Sequence, residues 1–493
     1  MTLKQYQMYV GGEWVDAVDG GRFDSFNPAT GEVWASFPAA AVVDVDRAVK
    51  AAHQAFTNPQ WRGLSPTQRG QLLARLAEVC RENTDHLAEL ETLDNGKLLR
   101  ETRGQAAFLP DFLNYFAGLA DKVQGDVLPV NKSNMFCYTK RQALGVVAAI
   151  IPWNSPLYLT VIKLGPALAT GNTIVLKPSE HASATLLELA RLSEQVGFPP
   201  GVINVVTGFG KPTGDALTKH PLVRRVAFTG GVAGAKQVVV NSSENLSKVS
   251  LELGGKSPNI IFADADLESA VNGVVAGIFA ASGQSCVAGS RVIVQESIYE
   301  AFLAKLIARA KTIKIGLPTD ADSEMGPIAT ETQINAIEGF VHRAQQQGAK
   351  LCFGGARVRV EFGGWYFPPT IFACDHQDYE IFQEEIFGPV VSVLPFASEA
   401  DAIDVANNSK YGLAAGIWTK NLARAHRVAD AVVSGIVWVN TYRAVSPMAS
   451  IGGFNASGYG REGGIEALNE YTETKTVWIN ISDETMPDPF IMR

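Results

Sequence analysis

The clearest pattern along the chain is an alternation of short apolar runs with amphipathic segments, which begins at residue 144. Five apolar runs recur about every 25 to 30 residues. The segments between them, such as 157–169 and 184–196, repeat apolar residues at helical spacing. Strand-length runs separated by helices predict a doubly wound parallel sheet that is covered on both faces. The five predicted strands are LGVVAAIIP, NTIVLKP, GVINVVTG, RRVAFTG and KVSLELGG.

A second series of the same kind follows the fifth run. Its predicted strands are NIIF, RVIVQ, VVSVLPF and GIVWVN, and a long helix is predicted over 298–313. The two series are separated by a glycine-containing break at 254–258, where we place a domain boundary. The pattern therefore predicts an α/β protein with one domain formed by 1–121 and 144–254, and a second formed by 255–471.

Two further segments have the alternation of polar and apolar residues that is typical of an edge strand. They are 122–143 and the C-terminal segment 472–493. We expect them to form a small β element, in which they pair with each other or with a neighbouring subunit. Ahead of the main sheet, the first forty residues predict short strands and turns, and the periodicity predicts helices over 44–57 and 66–93.

The composition is that of a globular protein, and it narrows the range of partners. Of 493 residues, 46% are hydrophobic and 19% are charged, and the net charge is −8. Nucleic acids and anionic membranes favour basic surfaces, so we expect neither as a partner. The longest apolar stretch, 271–281, is too short to span a bilayer. The N-terminus lacks the basic and apolar regions of a secretion signal.

The five cysteines are scattered, and the sequence contains no Cys-x-x-Cys pair. We therefore expect no disulfide framework and no metal site, and a reducing, cytoplasmic location. Cys286 differs from the others because Gly, Ala and Ser surround it in ASGQSCVAGSR. Small neighbours allow a ligand to approach the thiol, although an isolated cysteine is more often a buried packing residue.

Four turns follow predicted strands, where open α/β sheets bind their ligands. The glycine-rich turn 228–235 can hold a phosphate at a helix N-terminus, or it can be a tight turn without a ligand. In the turn 177–180, Lys177 and Glu180 can hold a ribose, or the same residues can begin a helix. These two turns therefore form a candidate nucleotide site.

The other two turns, 152–156 and 252–258, carry candidate catalytic groups. Glu252 ends an apolar strand, where burial raises the pKa of a carboxyl group toward that of a useful base. The alternative is a structural ion pair between Glu252 and Lys256. The amide of Asn154 can donate to an oxyanion, or it can cap a helix.

Seven motifs, in this order, resemble those of the aldehyde dehydrogenase superfamily, and the resemblance extends from YVGGEW to YTETKTVW. It implies a Rossmann-like dinucleotide-binding domain (1–121 and 144–254), a catalytic domain (255–471) and an oligomerisation element (122–143 and 472–493). It also implies a homo-oligomer, either a dimer or a tetramer. The motifs are PWNSP, KPSE, FTGG, ELGGKSP, GQSCVAGSR, EEIFGPV and SGYGREGG.

The resemblance implies that the protein oxidises a small-molecule aldehyde to a carboxylic acid with NAD as the cofactor. Cys286 would form a thiohemiacetal, whose oxyanion Asn154 stabilises, and the hydride would pass to NAD. Glu252 would activate the water that hydrolyses the resulting thioester. Lys163 and Glu462 resemble the proton-relay pair of the family.

The same resemblance assigns the cofactor site. Glu180 favours NAD over NADP because its carboxylate repels a 2′-phosphate, although relatives with Glu at this position can admit NADP. The family often has Ser where Gly231 stands, and Gly where Ala235 stands. The predicted cofactor-binding residues are Ile151, Trp153, Lys177, Glu180, Gly210, Thr229, Gly230, Gly231, Leu253, Glu385 and Phe387.

Aligned on the motifs, several positions where the family often has aromatic rings carry small or aliphatic residues. These are Ser155, Ala280, Val445 and Ile451, and fewer rings imply a wider substrate tunnel. Arg443, in the same loop as Val445, can face an acidic group of the substrate, or it can be a solvated surface residue. We therefore predict that the substrate is a bulky aldehyde, cyclic or aromatic. A carboxylate on this substrate is compatible with the pocket, because Arg443 can face it.

Three alternatives remain from the sequence. The first is a semialdehyde dehydrogenase or a coenzyme-A-acylating relative; the latter does not need a base such as Glu252. The second is a cysteine hydrolase, for which none of the seven histidines lies in a recognisable partner motif. The third is a non-catalytic protein of the same fold, which Cys286, Glu252 and Asn154 together argue against.

Overall fold

The structure is a computed structural model, and it describes residues 3–491. Short apolar runs form its strands, and amphipathic segments form most of its helices. The strands are β1 (Lys4–Gln5), β2 (Met8–Val10), β3 (Glu13–Val15), β4 (Arg22–Phe26), β5 (Val33–Pro38), β6 (Met135–Ala143), β7 (Val146–Ile151), β8 (Thr173–Pro178), β9 (Ile203–Val205), β10 (Val223–Thr229), β11 (Lys248–Glu252), β12 (Pro258–Ile261), β13 (Arg291–Gln295), β14 (Lys350–Phe353), β15 (Thr370–Ala373), β16 (Val390–Phe396), β17 (Ala414–Trp418), β18 (Ile436–Val439), β19 (Gly458–Tyr459) and β20 (Thr472–Asn480). The α-helices are α1 (Val42–Thr57), α2 (Pro59–Arg62), α3 (Pro66–Glu82), α4 (Thr84–Asn95), α5 (Leu99–Leu119), α6 (Pro156–Ala169), α7 (Ala184–Val196), α8 (Asp215–Lys219), α9 (Val232–Ser242), α10 (Leu267–Ile278), α11 (Tyr299–Lys311), α12 (Glu331–Gln346), α13 (Glu380–Gln383), α14 (Glu399–Asn407), α15 (Leu422–Ala431) and α16 (Ala467–Glu470).

The first large sheet has eight strands in the order β19-β11-β10-β7-β8-β9-β2-β3. The five predicted runs are its parallel strands β7 to β11. Alternate residues of β7 face opposite layers, because side chains alternate across a strand. Val147 packs with helices α5 to α7 on one face, and Val146 packs with α1 and α9 on the other. The predicted doubly wound sheet is therefore confirmed.

The second large sheet has seven strands in the order β14-β15-β16-β13-β12-β17-β18. All neighbours are parallel except β14, which runs antiparallel to β15. Two apolar layers enclose this sheet, one around Ile260 and Ile293 and the other around Ile261 and Val292. The chain is thus an α/β protein with two parallel-rich sheets, as the sequence predicts.

A long antiparallel ribbon joins β6 and β20, with nine residue pairs from Thr472–Ala143 to Asn480–Met135. The sequence left open whether these two segments pair with each other or with a neighbouring subunit. In the structure they pair with each other. Phe136, Trp478 and Ile479 are exposed on the ribbon. Residues 492 and 493 of the predicted oligomerisation element, and residues 1 and 2 of the predicted first domain, lie outside the described residues.

The segment after β18 returns from the second sheet to the first. Strand β19 pairs antiparallel with β11, and Leu468 and Tyr471 join the core of the first sheet. The boundary at residue 254 remains our proposal for the domain division, with this last part of 255–471 folded onto the first sheet. Within residues 3–491, no helix is both long enough and apolar enough to cross a membrane.

Candidate active site

The candidate site lies where the carboxyl ends of both sheets meet. Strands β7, β8, β10 and β11 each end at one of the four predicted turns. Cys286 comes from the second sheet, in the loop between α10 and β13. Glycine is required in this loop because a Cβ on Gly283, which has φ = 72°, would lie 2.2 Å from the backbone of Gly388. The small residues around Cys286 therefore serve close backbone packing as well as access.

Three adjoining cavities form one channel through this junction. The first, of 460 Å³, and the second, of 300 Å³, share Trp153, Thr229, Gly230 and Gly231. The third has a volume of 420 Å³, and Asn154, Glu252 and Cys286 line both it and the second cavity. A ligand in the first two cavities and a ligand in the third would therefore meet at the thiol.

Cys286 is partly exposed as a residue and lines the second and third cavities. Burial raises its pKa to about 12, and the nearby carboxyl groups of Glu385 and Glu252 contribute, while Arg443 opposes them. The thiol is therefore protonated at neutral pH and needs a base before it can act as a nucleophile. The amide of Asn154, which is 8% exposed, donates from Nδ2 to the carbonyl of Gln284 at 3.2 Å.

Glu252 is buried at the end of β11, and its Oε1 has no hydrogen-bond partner among the described residues. Burial is the largest cause that raises its pKa well above the ordinary range, and the neighbouring Glu462 adds to the rise. The alternative ion pair with Lys256 is not formed, since Nζ of Lys256 also lacks a partner in the described part of the chain. Glu252 therefore has the free oxygen and the raised pKa of a general base.

Lys163 and Glu462 form a fully buried ion pair beside Glu252. Nζ of Lys163 lies 2.5 and 2.7 Å from the two carboxylate oxygens, and 2.7 Å from Oγ1 of Thr229. The two residues are 299 positions apart and meet because the segment around β19 returns to the first sheet. The structure thus brings all five predicted catalytic residues together where the second and third cavities meet: Asn154, Glu252 and Cys286 line both cavities, Glu462 lines the third, and Lys163 is paired with Glu462.

The first cavity contains the turn at the start of α9. Gly231 is the N-terminal cap of this helix, and a Cβ at this position would meet nothing within 4 Å. A Cβ on Gly230 would instead lie 2.7 Å from the ring of Phe228. The open helix N-terminus has the geometry and the partial positive charge that suit a phosphate.

Lys177 and Glu180 stand at the other side of this cavity. Nζ of Lys177 donates to the carbonyl of Pro178 at 2.9 Å, and burial lowers its pKa to about 8. All eleven predicted cofactor residues line the first or the second cavity. Those in the first are Ile151, Trp153, Lys177, Glu180, Gly210, Thr229, Gly230 and Gly231, and the second adds Leu253, Glu385 and Phe387.

Glu385 and Phe387 form one wall of the second cavity. The N–H of Gly255 donates to Oε1 of Glu385 at 3.1 Å, and burial raises the pKa of this carboxyl group to about 7. The ring of Phe387, whose φ is 55°, lies 5.3 Å from the ring of Trp153 in an edge-on contact. Gln333, which the sequence did not identify, fixes this turn by donating to the carbonyls of Ile386 and Phe387 at 2.8 and 3.0 Å.

Comparison with known proteins decides the family. The profile of the Aldehyde dehydrogenase family matches residues 14–477. The chain belongs to the aldehyde dehydrogenase family. The resemblance found in the motifs is therefore confirmed, and so is the fold that it implies.

Relatives of this aldehyde dehydrogenase match it over nearly their whole length. A (Z)-2-((N-methylformamido)methylene)-5-hydroxybutyrolactone dehydrogenase of Acinetobacter baylyi is 52% identical over 492 residues, which cover 100% of both chains. A mitochondrial aldehyde dehydrogenase of Equus caballus is 44% identical over 483 residues, 96% of this chain and 95% of the relative. The solved structure of betaine aldehyde dehydrogenase from Staphylococcus aureus in complex with NAD+ is 39% identical, with a TM-score of 0.97 over 100% of this chain and 98% of that one.

The third cavity is the candidate aldehyde pocket of this family member. Ser155, Arg443, Val445 and Ile451 line it as predicted. Ala280 does not line it; instead its carbonyl accepts a hydrogen bond from Nη1 of Arg443 at 3.4 Å, as does the carbonyl of Ala276 at 3.2 Å. Arg443 is therefore a half-buried wall of the pocket rather than a solvated surface residue.

The sequence missed other walls of the aldehyde pocket. Three aromatic rings line this pocket. The sequence analysis predicted few rings from Ser155, Ala280, Val445 and Ile451, and it is correct for those positions alone. The rings belong to Phe108, Tyr158 and Trp438, and the missed polar residues include Arg100, Glu101 and Gln105.

Proposed function

We propose that this chain oxidises a bulky aldehyde that carries a carboxylate, and that it produces the corresponding carboxylic acid with NAD as the hydride acceptor. The observation that carries the proposal is the place of Cys286. Its thiol, with Asn154 and Glu252, stands where the candidate cofactor cavities meet the 420 Å³ third cavity.

The residues in the first two cavities fit NAD. The N-terminus of α9 would lie beneath the pyrophosphate, with Lys177 and Glu180 at the adenosine ribose. Glu385 and Phe387 would hold the nicotinamide end. The S. aureus relative in complex with NAD+ supports this assignment. When bound, NAD supplies the acceptor for the hydride that leaves the substrate.

In the first step, Sγ of Cys286 bonds to the aldehyde carbon, and the thiol proton passes to Glu252, directly or through a water. The carbonyl oxygen becomes an oxyanion, which receives hydrogen bonds from Nδ2 of Asn154 and the backbone N–H of Cys286. Loss of hydride from the same carbon re-forms the carbonyl and leaves a thioester on Cys286.

Between the two steps, Lys163 and Glu462, buried beside Glu252, would carry the thiol proton onward, so that Glu252 is ionised again. In the second step, Glu252 takes a proton from a water whose oxygen attacks the thioester carbon. The free oxygen of Glu252 is available for this water. The C–S bond breaks, Sγ takes the proton of the water back from Glu252, and the carboxylic acid leaves. Because this base is present, hydrolysis is favoured over transfer of the acyl group to coenzyme A.

The substrate class rests on the pocket and on the Acinetobacter relative. That relative acts on a substituted 5-hydroxybutyrolactone. Opening such a hydroxylactone ring gives a 4-oxo acid, which has an aldehyde at one end and a carboxylate at the other. Arg443 lines the pocket in this chain and would pair with such a carboxylate.

We also propose that the protein is a homo-oligomer joined through the ribbon of β6 and β20. Within the described residues, β20 has an unpaired outer edge, whereas the segment 126–128 covers part of the outer edge of β6, and apolar side chains lie exposed on both strands. Such edges favour pairing with another chain. Light scattering of the protein would show a mass that is a multiple of 52.9 kDa.

The activity is tested by incubating the protein with NAD and a panel of aldehydes while recording NADH absorbance at 340 nm. Aromatic, cyclic and carboxylate-bearing aldehydes should give higher kcat/KM than acetaldehyde or propanal. A preference for the two small aldehydes would contradict the proposed substrate class. Absence of NADH with every aldehyde would contradict the proposed oxidation.

A further inference from the structure

A buried lysine lies behind one wall of the aldehyde pocket. Lys97 follows α4 and is only 5% exposed. Its Nζ donates to Oγ of Ser155 at 2.6 Å and to Oε1 of Gln105 at 3.1 Å. Ser155 and Gln105 both line the pocket, whereas Lys97 does not. The ammonium group therefore has its hydrogen bonds to the pocket through these two side chains.

Lys97 determines which atoms of Ser155 and Gln105 are left to form hydrogen bonds with a substrate. An ammonium group has three donors and no acceptor, so the atoms that face it must be acceptors. The oxygen of the Gln105 amide is thereby turned toward Lys97, and its NH₂ group is left for the pocket. In the same way Oγ of Ser155 accepts from Lys97, so its hydroxyl hydrogen must point elsewhere.

Arg100, Glu101 and Arg443 also line the pocket, and they too offer donors or have no free acceptor. Arg443 and Arg100 line the pocket, and guanidinium groups only donate. Three carboxylates line the pocket, and two of them, Glu252 and Glu462, belong to the catalytic group. The third, Glu101, has both oxygens engaged by backbone donors: Oε1 accepts from the N–H of Ala281 at 2.8 Å, and Oε2 from the N–H of Leu98 at 3.3 Å. The wall therefore offers hydrogen-bond donors to the substrate.

We propose that Lys97 makes this wall a donor-only subsite for the carboxylate of the substrate, with Ser155 and Gln105 as the donors. A carboxylate accepts hydrogen bonds and does not donate, so it matches such a wall. Ser155 directly follows Asn154, the candidate oxyanion donor, which places the carboxylate only a few bonds from the aldehyde. The inference rests on the proposed function and narrows its substrate to bulky aldehydes whose carboxylate lies only a few bonds from the aldehyde, such as substituted 4-oxo acids.

The test compares 4-oxobutanoate with butanal, which have the same carbon chain with and without the carboxylate. The wild-type ratio of kcat/KM, 4-oxobutanoate over butanal, should exceed about ten. Ser155→Ala removes one donor to a charged acceptor and should lower this ratio about tenfold. Ser155→Thr, which keeps the hydroxyl, should retain most of it. Gln105→Glu places a carboxylate against the substrate's own and should bring the ratio below one.

A matched control is Gln71→Glu, which makes the same change in charge on the exposed face of α3 and should leave the ratio at the wild-type value. Calorimetric binding of butanedioate gives a second readout that needs no turnover. Its affinity should fall in Ser155→Ala and be lost in Gln105→Glu.

The outcomes separate the two proposals. If the wild type oxidises neither aldehyde but binds butanedioate in a manner sensitive to Gln105→Glu, the proposed oxidation fails and the subsite stands. If Ser155→Ala and Gln105→Glu leave the ratio and butanedioate binding unchanged, or lower kcat/KM equally for both aldehydes, the subsite is overturned while aldehyde oxidation stands.

Discussion

Replacing Glu462 with Gln should destabilise the protein measurably, because it breaks a pair that no solvent reaches. Lys163 is 0% exposed and Glu462 is 1% exposed, so the ammonium left behind loses its ion-pair partner and, among the described residues, keeps only Oγ1 of Thr229 and the new amide oxygen as acceptors. Removing one partner of a buried pair typically costs about 3 to 5 kcal/mol. We expect the low end, about 3 kcal/mol, since the Gln oxygen can still accept one bond.

This free energy can be converted into a melting temperature. Unfolding entropies near 2.1 cal/mol/K per residue give about 1 kcal/mol/K for a chain of 493 residues. Calorimetry at one fixed protein concentration should therefore show a melting temperature lower by about 3 °C. A double-mutant cycle with Lys163→Met separates the pair from its surroundings. The double variant should be less destabilised than the sum of the two single variants.

The same substitution should change the pH dependence of turnover. The negative charge of Glu462 is the second cause, after burial, of the raised pKa of Glu252. Removing that charge lowers this pKa, so Glu252 stays ionised to lower pH and the acid limb of kcat moves to lower pH. If the free energies of unfolding of the two single variants add up to that of the double variant, the pairing energy is refuted. If the acid limb of kcat stays in place or moves to higher pH, the coupling between Glu462 and Glu252 is refuted.

Other predictions address the thiol, the base, the cofactor and the pocket. Cys286→Ala should abolish NADH formation while calorimetry shows unchanged NAD affinity, and residual turnover above about 1% would contradict the nucleophile. Glu252→Gln should slow, in stopped flow, both the burst of NADH and the steady turnover, because Glu252 takes a proton in each step; a burst at the wild-type rate would restrict Glu252 to thioester hydrolysis. NAD should give a higher kcat/KM than NADP, and Glu180→Gln should narrow the difference; equal efficiency in the wild type would count against the repulsion argument. Arg443→Ala should raise KM for acidic aldehydes about tenfold, and an unchanged KM would remove Arg443 from substrate binding.

Much of the fold is readable because its elements are local and periodic. The run VVSVLPF coincides with β16, and the helix predicted over 184–196 coincides with α7. The helix predicted over 66–93 is instead two helices that meet at Asn83. Helix α5 was not predicted at all, since Gly104 and Pro110 weaken its pattern and tertiary packing compensates for them.

The sequence could predict those parts of the candidate site that lie at the ends of strands. The turns after β7, β8, β10 and β11 had to converge, because the carboxyl ends of parallel strands lie at one edge of a sheet. Lys97, Gln105 and Phe108 were missed because nothing in a helical pattern tells which side chain will meet a turn 50 residues away in the chain. Glu462 was assigned by resemblance alone, since its contact with Lys163 depends on a pairing across 299 positions.

The late return of β19 has a consequence for the protein while it is being synthesised. Strand β11 is complete at Glu252, but its outer neighbour begins at Gly458, about 200 residues later. At translation rates of about 5 to 20 residues per second, this edge of the first sheet is uncovered for about 10 to 40 s. Exposed sheet edges pair readily with other chains, so the nascent protein is most vulnerable to aggregation in this interval. The segment around β19 also brings Glu462 to Lys163. The nascent chain therefore gains its proposed proton relay only when β19 covers the exposed edge of β11.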